Sequence, residues 1–153
     1  MSVTREFVTR GGVGVSVTSS PIDADAAVED LLDRLDAARG ALLSSSYEYP
    51  GRYTRWDMGF VDPPLVVTSA GQQVTVEALN DRGRVLVPAV RRVVESADGV
   101  VDLTGDESQF SCRIERAGRR FEEEERSRQP STFTVVRAII DLFASALGAH
   151  ELR

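Results

Sequence analysis

Three serines, three tyrosines, the only tryptophan, two arginines and two carboxylates fall within the sixteen residues from Leu42 to Asp57. Leu42-Leu43 leads in and Met58-Gly59-Phe60-Val61 leads out, so apolar runs bracket a polar, aromatic loop. Loops fixed by rigid flanks are where binding residues concentrate. The chemistry on offer is recognition. Arginine presents a planar fork to a carboxylate, tyrosine and tryptophan supply stacking faces, and serine donates or accepts. Such a set suits a pocket for something small, flat and charged. It equally suits a turn held by Tyr49-Pro50-Gly51, with Arg52 and Arg55 in water. Residue types alone leave both readings open.

Catalytic chemistry finds little support. A hydrolytic triad needs a base beside its nucleophile, and the sole histidine, His150, falls within the last four residues. Metal-ligand spacing of His, Cys and carboxylates is absent. Glu48 with Asp57 could do acid–base work, but pairing with Arg52 and Arg55 to hold the loop is the simpler reading. The Glu122–Glu125 run points around its element and not toward one ion, as a solvated loop does. Cys112 alternates with Phe110 and Ile114, as a small core hydrophobe would. Gly11-Gly12-Val13-Gly14 lacks the lysine and downstream helix of a phosphate loop, and reads as a turn.

Composition narrows the class further. The 153 residues suffice for one domain and fall short of two ordinary ones. A net charge of −6 argues against nucleic acid, which needs a basic face. There is no lysine, so lysine chemistry is excluded. One cysteine excludes an internal disulfide and fits a reducing compartment. No basic start precedes an apolar run, and no stretch approaches 18 apolar residues. The expectation is a cytoplasmic protein without a membrane partner.

The elements that would position the loop form an α+β pattern, mainly antiparallel sheet with about three flanking helices. Val13, Val15 and Val17 alternate as a strand joined by the glycine pair to an earlier one. Asp23 or Asp25 caps a helix over 24–39, with Val28, Leu31, Leu32, Leu35 and Ala38 as a buried stripe and Gly40 as its stop. Ala41-Leu42-Leu43 is a short strand feeding the serines. Strands over 55–61 and 65–69 are separated by Asp62-Pro63-Pro64. A strand over 72–79 turns at Asn80-Asp81-Arg82-Gly83 into a second one over 85–87. Pro88 opens a helix over 88–96, and a strand follows over 110–114. Ser131 caps a helix over 131–147 with Phe133, Val136, Ile139, Ile140, Phe143 and Leu147 on one face, whose partner surface is expected outside this chain.

Ser44 through Asp57, followed by Asp62-Pro63-Pro64-Leu65, closely resembles the N-terminal part of anthranilate synthase component I. The resemblance is strongest to the bacterial type fused to a glutamine amidotransferase. Thr9-Arg10-Gly11-Gly12-Val13, Ala78-Leu79-Asn80-Asp81-Arg82-Gly83 and Arg126-Ser127-Arg128-Gln129-Pro130-Ser131 match in the same order, across nearly the whole chain. It implies a single domain over 1–153, the N-terminal part of that family's fold, with the C-terminal chorismate-binding part absent. The family's chorismate and magnesium site lies mainly in that C-terminal part. No catalytic residue, metal or cofactor is therefore expected here, and the chain alone should lack the family's lyase activity.

The family's N-terminal part contributes the tryptophan feedback site. Its unfused signature, Leu-Leu-Glu-Ser, aligns with Leu42-Leu43-Ser44-Ser45. The resemblance thus puts Leu43, Ser44 and Ser45 at tryptophan-contacting positions, with Arg55, or Arg52, as the downstream basic residue. Serine at 44 in place of glutamate leaves the ligand's ammonium to Glu48 or to backbone carbonyls. The implied partners are L-tryptophan, the chorismate-binding part and the amidotransferase. Two other readings stand beside it: the N-terminal segment of a 2-amino-2-deoxyisochorismate synthase of a phenazine-type pathway, and a structural segment without ligand.

Overall fold

The structure, a computed structural model, describes residues 1–45, 56–115 and 129–144. Its described elements are β1 (Val3–Val8), β2 (Gly14–Ser19), α1 (Ala24–Leu35), β3 (Gly40–Ser44), β4 (Asp57–Val61), β5 (Leu65–Ala70), β6 (Gln73–Ala78), α2 (Asp81–Glu95), β7 (Val100–Gly105), β8 (Gln109–Ile114) and α3 (Thr132–Phe143). The class is α+β with antiparallel pairing, as expected. The chain divides into two compact units, one of residues 1–2 with 19–63 and the other of 3–18 with 64–153.

The larger unit is built on a four-stranded antiparallel sheet in the order β5-β6-β8-β7. Along β6, Val74 and Val76 are buried while Gln73 and Glu77 are exposed, the period of two that a sheet with one covered face requires. Phe110, Cys112 and Ile114 repeat the pattern on β8. Val87, Val90 and Val94 of α2 and Val135 and Leu142 of α3 complete the core. β1 and β2 form a separate hairpin whose turn is tied to α3. The Arg10 N–H donates to the Ala144 carbonyl at 2.9 Å and the Gly11 N–H to the Leu142 carbonyl at 3.2 Å, satisfying acceptors that a helix end leaves open.

Three expectations are corrected in this unit. The residues expected as a strand over 85–87 lie inside α2, which starts at Asp81 and not at Pro88. The Asn80 side chain accepts from the Gly83 N–H at 3.1 Å, so Asn80-Asp81-Arg82-Gly83 is a helix cap and no hairpin turn. Gly83, Val87, Val90 and Val94 then share one buried stripe. Pro88 lies on the exposed side of α2, where the Arg84 carbonyl that loses its helical donor can turn to water. The second correction adds a strand. In β7 the register slips between Val101 and Thr104, and Asp102 takes a φ of +53°; that bulge breaks the alternation by which a strand is recognised. The third concerns α3, which ends at Phe143 in the described residues. Its core face is Val135, Ile139 and Leu142, whereas Phe133 and Ile140, placed on the expected stripe, are 70% and 61% exposed.

In the smaller unit α1 packs on the β3–β4 hairpin. The Asp23 carboxylate accepts from the Ala26 N–H at 3.0 Å and caps the helix, as expected. The helix ends at Leu35, short of Arg39, and Gly40 opens β3. Gly40 is thus no helix stop. A Cβ there would meet Leu35, the Phe60 carbonyl and the Val61 Cα, so its small size lets helix and strands close together. The α1 stripe is also less covered than expected. Val28, Leu31 and Leu35 are half-buried, Leu32 and Ala38 are exposed, and no α1 residue is fully buried. The polypeptide leaves this unit through Asp62, with a φ of +53°, into Pro63-Pro64.

Candidate functional site

The β3–β4 register pairs Leu42 with Gly59, Leu43 with Met58 and Ser44 with Asp57. Cross-strand partners share a face and successive residues alternate. One face therefore carries Gly40, Leu42, Ser44, Asp57, Gly59 and Val61. It is the face that α1 covers, because a Cβ on Gly59 would run into the Leu31 side chain. The Ser44 hydroxyl donates to the Asp57 carboxylate there. One step on, the Ser45 N–H donates to the Trp56 carbonyl at 2.9 Å, carrying the ladder to the edge of the loop.

The opposite face carries Ala41, Leu43, Met58 and Phe60. Leu43, Met58 and Phe60 are each more than half exposed. Strand alternation hence separates the residues placed at the site from sequence. Ser44 is on the α1 side and Leu43 on the other, while Ser45 follows the end of β3. Arg55, with Arg52 and Glu48, lies outside the described residues.

On the α1 side an open groove of about 850 Å³ runs between helix and hairpin. Its apolar lining comes from Ile22, Val28 and Leu31 on one side of the sequence and Leu42 and Trp56 on the other. Among the described residues, three carboxylates, Asp23, Asp30 and Asp57, and one guanidinium, Arg34, line it. Asp23 is occupied in capping α1, and Asp30 faces Arg34 at 3.9 Å across a helical turn. The α1 residues were not singled out as site residues in the sequence. Their stripe is legible there, but its period cannot distinguish a buried face from one that walls an open groove. Among the described residues, no group of three or more His, Cys, Asp and Glu side chains could hold a metal ion.

The comparisons bear on the same stretch. A curated anthranilate synthase from Azospirillum brasilense is 42% identical over 139 residues, 91% of this chain. The chain matches the N-terminal region of anthranilate synthase. It spans only 19% of that relative's length. No family model matches, and no solved structure does. The anthranilate synthase match includes the family expectation drawn from Ser44 to Asp57, and the α+β class agrees with it. No helix of the described residues is long and apolar enough to cross a membrane.

Proposed function

We propose that this chain is the tryptophan-sensing segment of an anthranilate synthase component I. That enzyme converts chorismate and an ammonia donor to anthranilate and pyruvate in the cytoplasm, with magnesium and chorismate held by a C-terminal part and ammonia supplied by a glutamine amidotransferase. The observation that supports it is the groove beside the Ser44–Asp57 pair, apolar along Leu42 and Trp56 and wide enough for an amino acid. It lies in a chain 42% identical to an anthranilate synthase. The indole would lie along Leu42 and Trp56, and the ligand's carboxylate would meet Arg55 or Arg52. Ser44 would act from the groove side. Leu43 would act from the other side of the hairpin, and Ser45 through the backbone hydrogen bond that holds Trp56.

The energies are of the right size. A charge-assisted hydrogen bond contributes about 1.5–3 kcal/mol, and burying an indole adds roughly 2–3 kcal/mol. Turning an enzyme from mostly active to mostly inactive needs about 5.5 kcal/mol of differential binding. One tryptophan can supply that if most of its contacts exist in one state only.

Two measurements test the reading. Calorimetry with L-tryptophan on the polypeptide that carries this segment should show saturable binding, and tryptophan should inhibit its anthranilate synthesis. Binding without inhibition would leave the segment a ligand site but no regulator. No binding would favour the phenazine-type or purely structural alternative. The 153-residue chain alone, given chorismate, magnesium and ammonia, should form no anthranilate above a buffer blank.

A further inference from the structure

We infer that the face of the β3–β4 hairpin opposite α1, formed by Ala41, Leu43, Met58 and Phe60, is a docking surface for the part of the anthranilate synthase polypeptide that lies outside this segment. The inference rests on the family and not on the tryptophan reading. Ala41 pairs with Phe60 and Leu43 with Met58, so the four side chains form one patch. Leu43, Met58 and Phe60 are 57%, 62% and 52% exposed. Within β3 and β4, no charged or hydrogen-bonding side chain interrupts that face.

A sheet with one face in water alternates apolar and polar residues. β6 does so, with Val74 and Val76 buried and Gln73, Thr75 and Glu77 on the other face. β3 and β4 do not. Their Leu42 and Gly59 side lies against α1, yet the opposite side is just as apolar. That is the pattern of strands covered on both faces. A two-stranded hairpin is marginal by itself, and packing against a further element supplies what it lacks.

Size and tether select the occupant. One aromatic side chain buries about 150–250 Å² at most. Three half-exposed side chains and an alanine therefore fall well short of the roughly 800 Å² per partner that a stable complex of separate molecules buries. A second copy would hold only weakly through this patch. A surface on the same polypeptide needs no such area, because a tether raises its effective concentration to roughly millimolar. The chain spans 19% of the length of the anthranilate synthase it matches, so in such a polypeptide most of the length is available as tethered partner. The partner surface should be apolar, since this face offers no charge or polar side chain for another to meet.

The test places a photoreactive benzoylphenylalanine at Met58, at Phe60 or, as a control, at Asp33 on the exposed side of α1, in the complete polypeptide that carries this segment. The probe's aromatic body keeps the hairpin face apolar. After irradiation, products are separated by mass on a denaturing gel and the cross-linked peptides are mapped by mass spectrometry. Positions 58 and 60 should cross-link within one polypeptide, to peptides outside residues 1–153, at least tenfold more than position 33. Cross-links to peptides within 1–153 would mean that the segment covers this face itself. Products of doubled mass would assign the face to a second copy, and yields equal to those at position 33 would leave it in water. Each of these three results overturns the inference. If the probe at 58 prevents folding, judged by circular dichroism, position 60 carries the test. Calorimetry with tryptophan on the unaltered polypeptide reports on the sensing reading separately, so the expected cross-links without tryptophan binding would keep the docking surface and reject the tryptophan site.

Discussion

Gly83, in the first turn of α2, lies so close to the Pro64 carbonyl that a methyl group on it would overlap that oxygen and approach the Ala78 Cα at 3.1 Å. The obstacle is backbone, which cannot swing aside as a side-chain tip can. The Leu79 N–H donates to the same Pro64 carbonyl at 2.9 Å, so the strand end, the cap and the helix start are locked at one point. Gly83→Ala should cost about 1–3 kcal/mol by overpacking. Gly14→Ala, where nothing lies within 4 Å, should be near neutral. Thermal unfolding of the two variants checks this; a Gly83→Ala midpoint equal to that of the unaltered chain would show that α2 has no such close approach.

The alternation of β3 makes the face of the tryptophan site testable by a matched pair. Ser44→Phe puts a ring on the α1 side, beside Leu42 and Asp57, and should weaken tryptophan inhibition of the full polypeptide at least tenfold, about 1.4 kcal/mol. Met58→Phe puts the same ring on the Leu43 side and should change it by less than threefold. Uninhibited turnover should be roughly kept in both. The opposite ranking would move the ligand to the Leu43, Met58 and Phe60 face.

The two sides of α3 should respond to substitution in opposite ways. Leu142 is 2% exposed and packs over Gly11, so Leu142→Ala should cost about 2–5 kcal/mol in the transfer and cavity terms. Phe133, Val136 and Ile140 recur at three- and four-residue steps on the exposed side. Contiguous apolar surface of this kind promotes association, so the chain should self-associate at tens of micromolar. Phe133→Ser with Ile140→Asn should reduce that association, read by light scattering, without lowering the thermal midpoint. A monodisperse unaltered chain would refute this.

Cys112 is buried in the sheet, and burial pushes its thiol above the ordinary value. Because the folded-state pKa is the higher one, the associated stability is complete below the unfolded thiol's pKa and is lost as pH rises through the folded one. Stability should therefore decline above about pH 8.5, and Cys112→Ser should not share that part of the decline. At neutral pH the native thiol should resist iodoacetamide and react on addition of denaturant. Rapid native labelling would mean that β8 opens readily.

The sequence by itself determined which segments become regular structure wherever one period dominates. β6 and β8 alternate cleanly, α1 has a single apolar stripe and an aspartate cap, and Asp62-Pro63-Pro64 ends a strand because proline cannot donate to a ladder. The stretch from Ser44 to Asp57 also gave the family resemblance, since so unusual a run of residue types is specific without any geometry. Only the tertiary structure decided which surface each element buries. α3 is apolar nearly all round, so its period permits several faces, and the neighbours at Gly11 and in the sheet select Val135, Ile139 and Leu142. Gly40 and Gly83 read locally as a stop and a turn, and Gly59 as an ordinary strand residue. Each instead admits a partner that is close in space, namely Leu35, Leu31 and the Pro64 carbonyl. A missing side chain announces that something comes near, and what comes near depends on how distant segments pack. The groove follows the same rule, because Asp57 joins Ser44 through the ladder and Leu31 joins Leu42 through helix packing, and neither relation is encoded in spacing along the chain.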